Sequence, residues 1–275
     1  MRYIERDGEV EVTGVADFDL AGIFECGQCF RWDADESGQY TGVAMGRAAR
    51  LRREGDSVFI SGTIADFESI WLDYFDLRRD YEQIRKQLSI DKHMEKACRF
   101  GMGLRILRQD PWEALCSFII SQCNNIPRIK SIIKTLCENF GDGIEFEGAV
   151  YYTFPAAERL AVLEPDDLAP LRAGYRAAYI IGAARAVSSG EINLDKLIGA
   201  PPDIARRELI KLVGVGNKVA DCAMLFGLNI LDAFPIDVWM RRAVQEHYGK
   251  DFDPQIFAPY AGIAQQYIFH YARNG

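Results

Sequence analysis

Hydrophobic and polar positions along the first 65 residues follow the short-range pattern of β-strands. The segments GQCFRW (27–32), YTGVAM, ARLRRE and SVFISG are short, carry aromatic or β-branched residues, and are separated by Gly, Asp and Ser. These segments predict an antiparallel meander in the N-terminal part of the chain.

Beyond residue 66 the spacing of the apolar positions becomes helical. Tyr81, Ile84 and Leu88 recur at intervals of three or four, and comparable periodicity continues almost to the end of the chain. We therefore predict an α+β fold with two domains. Residues 1–98 form an N-terminal antiparallel β-sheet domain with trailing helices, and residues 99–275 form a larger all-α domain.

Start and stop signals place several helices. Asp110 as N-cap, Pro111 at the first helical position and Glu113 in a capping box predict a helix through WEALCSFIISQ, which is apolar nearly all round and should be central and buried. Asn125 is predicted to cap the next helix, which ends at Gly141. Further helices are predicted in LAPLRAGYRAAYIIGAARAV, over 203–212, over 217–227, from Asp237, and over 259–272.

Composition and charge narrow the class of protein. The chain is 49% hydrophobic and 26% charged, as in ordinary globular proteins, and its apolar runs are too short to span a bilayer. The charged start MRYIERDGEV does not resemble a signal peptide, and seven cysteines are an odd number, so we expect free thiols in a reducing intracellular compartment (cytoplasm, nucleoid or nucleus). The net charge of −8 lies mostly in residues 1–98, which leaves 99–275 free to present a local basic face.

The stretch LVGVGNKVAD (212–221) lies between two predicted helices. Gly214 and Gly216 around Val215 fit two interpretations equally well: a helical turn that needs glycine for its geometry, or a helix–hairpin–helix (203–227) that presents helix N–H groups to a DNA phosphate. Lys218 favours a functional site. The positive end of the helix dipole and partial burial both disfavour its ammonium form, and a free amine can attack carbon and form a Schiff base.

Asp237 follows Lys218 by 19 residues, with one helix and one turn between them. By itself it fits a plain N-cap. Near Lys218, its carboxylate would stabilise a developing cationic sugar and assist proton transfers.

With these elements in place, LVGVGNKVADC followed by FPIDVWM resembles the helix–hairpin–helix DNA glycosylase superfamily, and most closely its 8-oxoguanine DNA glycosylase/AP lyase family. GQCFRW, RQDPWEALCSFIISQCNNIPRI, AGYRAAYI and PYAGIAQQYIF support the same family in the same order along the chain. The resemblance implies a DNA repair enzyme that flips 8-oxoguanine out of double-stranded DNA. Lys218 would attack C1′, release the base and form a Schiff base, β-elimination would cut the strand, and Asp237 in the Pro-Ile-Asp loop (235–237) would assist.

The resemblance also implies roles for other residues. The lesion-base pocket would comprise Gly27, Cys222, Phe226, Gln265 and Phe269. The wedge and the site for the opposite base would comprise Cys123, Arg128, Tyr175 and Arg176. The DNA backbone would be held by Asn125, Gly214, Val215, Gly216 and Trp239. Without the resemblance, these positions also fit core, turn or exposed-helix residues, and a turn between strands is the preferred interpretation of Gly27.

Three departures from the family pattern affect DNA recognition more than the reaction. Cys123 stands where the family has an asparagine, Trp239 where many members have a phosphate-binding histidine, and Val213 where a hairpin proline is common. Cysteine is a weak hydrogen bonder and tryptophan a neutral donor, so the preference for the opposite base and the phosphate contact should differ.

The pattern of cysteines and histidines predicts no metal site and no cofactor. Cys222 is the last cysteine, so the four-cysteine spacing of an iron–sulfur cluster does not follow the hairpin, and the three histidines form no zinc pattern. Hairpin carbonyls leave room for a structural cation. We expect a monomer that acts on DNA containing an oxidised guanine. The alternatives are an alkylated-base glycosylase that uses Asp237 and water, and a non-catalytic DNA-binding module.

Overall fold

The computed structural model describes residues 1–15 and 17–275 and has an antiparallel sheet followed by a helical domain. The predicted α+β fold is confirmed. A six-stranded sheet has the strand order β1-β2-β6-β5-β4-β3, and β7 and β8 form a separate hairpin. The strands are β1 (Arg2–Arg6), β2 (Glu9–Thr13), β3 (Trp32–Ala34), β4 (Tyr40–Ala44), β5 (Arg47–Glu54), β6 (Ser57–Ser61), β7 (Gly143–Phe146) and β8 (Ala149–Tyr152).

One face of the sheet is buried because apolar residues alternate along its strands. Val12 on β2 lies opposite Val58 on β6, and both side chains point into the core of the sheet domain. Aromatic side chains cover this face, and Trp32 stacks on Phe24 with their ring centroids 4.6 Å apart. The sheet therefore has its own core, from which the chain continues into the helices.

The helices account for most of the remaining chain. They are α1 (Leu20–Glu25), α2 (Ile64–Asp66), α3 (Leu72–Tyr74), α4 (Tyr81–Leu88), α5 (Lys92–Phe100), α6 (Pro111–Ile120), α7 (Ile126–Phe140), α8 (Ala157–Ala161), α9 (Arg176–Ser188), α10 (Pro202–Leu209), α11 (Asn217–Phe226), α12 (Val238–His247) and α13 (Ala261–Asn274). A π-helical turn, Phe67–Trp71, joins α2 to α3, and 3₁₀ turns cover Pro165–Leu171, Asp195–Leu197 and Pro254–Phe257. No helix in 1–15 and 17–275 is both long and apolar enough to cross a membrane.

Helix α6 is central, as its all-round apolar surface predicts. Trp112 and every residue from 114 to 120 are buried, and α7, α9 and α11 pack around the helix. Asp110 caps it by accepting a hydrogen bond from the Glu113 N–H (2.8 Å). The predicted capping box is wrong, because the Glu113 carboxylate instead accepts from Arg31.

Four other local predictions are wrong. GQCFRW is mostly a turn in which only Trp32 belongs to a strand, and α1 precedes it where strands were predicted. The hairpin of β7 and β8 interrupts a region predicted to be helical. LAPLRAGYRAAYIIGAARAV is not one helix, because Arg172 has a left-handed backbone (φ +50°) that separates a 3₁₀ turn from α9.

The two cores meet near the predicted domain boundary. Helix α4 precedes residue 99 and α5 runs across it, yet Tyr81, Leu88 and Met94 belong to the helical core. Residues 104–109 then run between the cores without regular secondary structure, and most of this segment is buried. The boundary at 98/99 stays a prediction.

Candidate active site between the sheet domain and the helices

The hairpin before α11 depends on one glycine in particular. Gly214 has φ +84°, and a Cβ atom there would lie 2.3 Å from the ring of Tyr179. Gly216 is the N-cap of α11, with extended backbone and open space around it. The hairpin thus packs tightly against α9 on one side, while the start of α11 stays exposed.

Lys218 lies in the first turn of α11 and is half-buried. The packing of α11 on α6 places its Nζ 3.3 Å from the Ser121 hydroxyl and 5.2 Å from the centre of the Phe118 ring. The described ion pairs do not include Lys218. Its amine therefore contacts a neutral hydroxyl and an aromatic face.

Asp237 combines the two arrangements that its sequence position allows. One carboxylate oxygen accepts a hydrogen bond from the Met240 N–H (2.8 Å) and so caps α12. The same side chain lines a cavity together with Lys218. The cap thus fixes a carboxylate that lines the same cavity as Lys218.

The cavity lies between the sheet domain and the helices and has a volume of about 50 Å³. Its lining is Cys26, Gly27, Phe118, Lys218, Cys222, Phe226, Pro235, Asp237, Gln265, Gln266 and Phe269. Gly27 comes from the turn of the sheet domain and has φ +85°. A space of this size holds a few water molecules.

Lys218 also borders a wider, open groove of about 660 Å³. Asn217, Arg241 and Lys250 line it, and Arg206 pairs there with Asp221 (2.7 Å). Exposed cationic side chains beside the cavity are of the type that binds the negatively charged phosphates of a DNA backbone.

Cys222 and Phe226 follow Lys218 on the inner face of α11, one and two turns further along. Both side chains are buried, and the Phe226 ring stacks on Phe118 with centroids 5.3 Å apart. Burial raises the pKa of the Cys222 thiol to about 11 even though Lys218 is near. The thiol is therefore neutral, and it forms a small, polarisable part of the cavity wall.

Gln265 and Phe269 reach the cavity from α13. Gln265 is buried, and its Oε1 accepts a hydrogen bond from Gln266 Nε2 (2.8 Å). The Phe269 ring is half-buried at the mouth. The structure thus brings together all seven residues predicted for the reaction and the base pocket, although their functional roles stay predictions.

The four residues predicted for the wedge and the opposite base cluster at a second place. Tyr175 is 52% exposed, whereas Arg176 is 4% exposed and donates to the carbonyls of Gln122 (2.9 Å) and Cys123 (3.1 Å). Cys123 is exposed and has φ +46°, and Arg128 donates to the Arg172 carbonyl (3.3 Å). Arg176 thus holds the Cys123 loop from within, while Tyr175 projects outwards.

The residues predicted for the DNA backbone lie outside the cavity. Asn125 caps α7 through the Arg128 N–H (3.1 Å), and the Val215 N–H is already bonded to the Leu212 carbonyl (3.0 Å). Trp239 is 53% exposed, and the Arg242 guanidinium lies 5.9 Å from the centre of its ring. A backbone contact through Trp239 stays a prediction, as do those of the hairpin.

Four further residues contact Lys218 or line the cavity and are not among the site residues predicted from the sequence pattern: Cys26, Phe118, Ser121 and Gln266. Phe118 is indistinguishable from its apolar neighbours in the buried α6, because periodicity does not say which side faces a cavity. Ser121 carries a signal: it is polar and comes directly after a run of buried residues, where α6 ends.

Two family models match the chain over adjacent ranges. The N-terminal domain of 8-oxoguanine DNA glycosylase matches residues 12–115, and the HhH-GPD superfamily of base excision DNA repair proteins matches residues 116–255. The first range contains Gly27, and the second contains Lys218 and Asp237.

Known proteins resemble the chain over most of its length. The N-glycosylase/DNA lyase of Saccharomyces cerevisiae is 32% identical over 83% of this chain and 68% of the yeast protein. A solved structure of Clostridium acetobutylicum 8-oxoguanine glycosylase/lyase, in complex with double-stranded DNA containing cytosine opposite 8-oxoguanine, has a TM-score of 0.94 at 39% identity and covers 99% of this chain and 98% of that one. MBOgg1, solved in complex with a low-affinity DNA ligand, has a TM-score of 0.95 at 47% identity, with 99% of both chains covered.

The fold and the site define a base excision DNA repair protein of the HhH-GPD superfamily, and within it the chain belongs to the 8-oxoguanine DNA glycosylase family.

Proposed function

We propose that this protein is a bifunctional glycosylase/AP lyase that excises 8-oxoguanine from double-stranded DNA. The observation that carries the proposal is the single cavity in which Lys218 and Asp237 from the helical domain meet Gly27 from the sheet domain. Membership of the family and the named activities of the relatives support the same reaction.

The reaction follows from the groups that line the cavity. The lesion leaves the base stack and enters between Cys222 and Phe269, with Gln265 on its Watson–Crick edge and the Gly27 carbonyl at N7–H. Lys218 Nζ attacks C1′ as the N-glycosidic bond breaks, and the departing base keeps the bonding electrons. Asp237 stabilises the positive charge that develops on the sugar and accepts a proton from the attacking amine.

The C1′–O4′ bond of the sugar ring then breaks, O4′ takes a proton, and C1′ and the lysine nitrogen form the Schiff base that precedes strand cleavage. Loss of a proton from C2′ and rupture of the bond between C3′ and its phosphate oxygen complete β-elimination, and water releases the lysine. The steps use an amine and a carboxylate, and that no metal or cofactor is needed stays a prediction.

Borohydride trapping tests the lysine directly. A duplex with 8-oxoguanine opposite cytosine should give a covalent protein–DNA adduct, because borohydride reduces the Schiff base, and Lys218→Gln should abolish both adduct and cleavage. Lys211→Gln is the matched control, since Lys211 is exposed and pairs with Glu208 (2.5 Å) near the same hairpin. An adduct that persists in Lys218→Gln would exclude Lys218 as the nucleophile.

The same assay separates the remaining possibilities for substrate and opposite base. Duplexes with each of the four opposite bases report whether Cys123 and Tyr175 relax the choice of cytosine. Release of methylated purines without action on 8-oxoguanine would identify an alkylated-base glycosylase, and tight lesion binding without base release would identify a binding module.

A further inference from the structure

A mostly buried segment without regular secondary structure, residues 104–109, runs between the core of the sheet domain and the core of the helices. We call these residues the interdomain strap. A buried backbone outside helix and sheet must find its hydrogen-bond partners elsewhere. In the strap, the Ile106 N–H donates to the Tyr81 hydroxyl (2.9 Å), and the Leu107 N–H donates to Gln28 Oε1 (2.9 Å).

Gln28 directly follows Gly27 and is fully buried. Its Nε2 donates to the Ile23 carbonyl (2.9 Å) on α1 and to the Arg105 carbonyl (2.8 Å) in the strap. With the bond from Leu107, one amide side chain fastens the turn to both α1 and the strap. The sheet-domain wall of the cavity is therefore held by buried hydrogen bonds.

Gln109 connects this wall to the opposite one. Its Nε2 donates to the Gln28 carbonyl (2.7 Å), one residue after Gly27. Its backbone N–H donates to the Phe226 carbonyl (2.9 Å) at the end of α11, the helix that carries Lys218 and Cys222. A single, mostly buried residue thus bonds to both sides of the cavity.

Gly27 has open space where a side chain would lie. Only the Ile126 methyl comes within 4 Å of a Cβ built on it, at 3.9 Å, so the hydrogen bonds of the neighbouring Gln28 are the described polar contacts that fix this turn. A single hydrogen bond that reads one proton of a base needs an acceptor placed within a fraction of an ångström.

We propose that Gln109, acting through Gln28, is a positioning residue that sets the Gly27 carbonyl relative to Lys218 and thereby supports discrimination of the lesion. This inference rests on the proposed function. It assigns to the interdomain strap a part in substrate choice, whereas the attack on C1′ belongs to Lys218.

The test compares two reactions of the same lysine. Gln109→Met keeps length and burial but removes the donor to Gln28, so single-turnover release of 8-oxoguanine should fall by about tenfold, the range of one lost hydrogen bond. Cleavage at a preformed abasic site opposite cytosine needs Lys218 but involves no recognition of a damaged base. Its rate should therefore change by less than about threefold. Gln109→Asn keeps a donor that falls one methylene short, and should show the same split to a smaller degree.

The outcomes are distinct. An equal loss in both reactions means a merely structural role, and unchanged excision means that the link is not used; either result overturns the proposal. If Gln109→Met does not fold, the split in Gln109→Asn decides. If the unaltered protein releases no 8-oxoguanine, the proposed function fails, and this result is visible without any variant.

Discussion

At the scale of single residues, burial determines which thiols of this protein can react. All seven cysteines lie in the described part of the chain; six are buried, and Cys123 is exposed. Burial raises the pKa of Cys26 to about 12 and of Cys222 to about 11, so both thiols in the cavity are protonated at neutral pH. A neutral thiol suits a wall that contacts a base and is a poor nucleophile.

We expect iodoacetamide at pH 8 to modify Cys123 at least about tenfold faster than any other cysteine, because only the exposed thiol meets the reagent without opening of the fold. Mass spectrometry of tryptic peptides measures the rates. The fast phase should vanish in Cys123→Ser and persist in Cys222→Ser. Equally rapid modification of Cys222 would show that the cavity opens readily without DNA.

The residues of the site differ in how far sequence reveals them. Lys218 and Asp237 are predictable because a hairpin motif and a helix start place them, and both positions lie on the cavity. Gln28 and Gln109 are not predictable. In the sequence each is an ordinary polar residue, and only the structure shows that its side chain bonds to a backbone group far away in the chain. Arg176 is predicted from resemblance as part of a DNA contact, yet its guanidinium donates to the three backbone carbonyls of Gln122, Ala173 and Cys123.

At the scale of elements, long amphipathic helices with caps are predictable and short elements are not. The N-cap residues Asp110 and Asn125 correctly predict where α6 and α7 begin, because capping is a local interaction. α1 has only six residues, too few for periodicity to distinguish it from a strand. The hairpin of β7 and β8 did have a signal: apolar alternation around Glu147-Gly148, which both have positive φ, as a tight turn requires.

The hairpin before α11 gives a test at this scale. Gly214→Ala adds a methyl group that collides with the Tyr179 ring and strains a backbone at φ +84°, so the free energy of unfolding should fall by about 1–3 kcal/mol. Gly216→Ala, two residues away, meets open space at ordinary φ and should cost less than about 1 kcal/mol. Urea denaturation measures both, and equal losses would refute the packing of the hairpin on α9.

At the scale of the whole molecule, one buried ion pair links the sheet domain to the helices. Arg31 precedes β3, and its guanidinium lies 3.1 Å from the Glu113 carboxylate at the start of α6; the two side chains are 9% and 13% exposed. Arg31 also donates to the Tyr152 carbonyl at the end of β8. Three parts of the chain far apart in sequence therefore meet at one guanidinium.

Glu113→Gln should lower the free energy of unfolding by about 3 kcal/mol, because it leaves the Arg31 charge buried without its counter-charge. Glu82→Gln is the control: Glu82 pairs with Lys86 on the exposed surface of α4, and its loss should cost less than about 0.5 kcal/mol. Urea unfolding of the two variants side by side gives the comparison. Similar values for both would mean that water reaches the Arg31 pair.

Two separate segments of the chain form the walls of the cavity, and this arrangement is relevant to how the protein family evolved. On the proposed roles, the nucleophile belongs to the segment shared across the superfamily, while Gly27 belongs to the N-terminal one. The helices also supply Cys222, Gln265 and Phe269 to the base pocket. Exchange of the N-terminal segment would therefore alter one contact to the base and leave Lys218, Asp237 and the rest of the pocket in place.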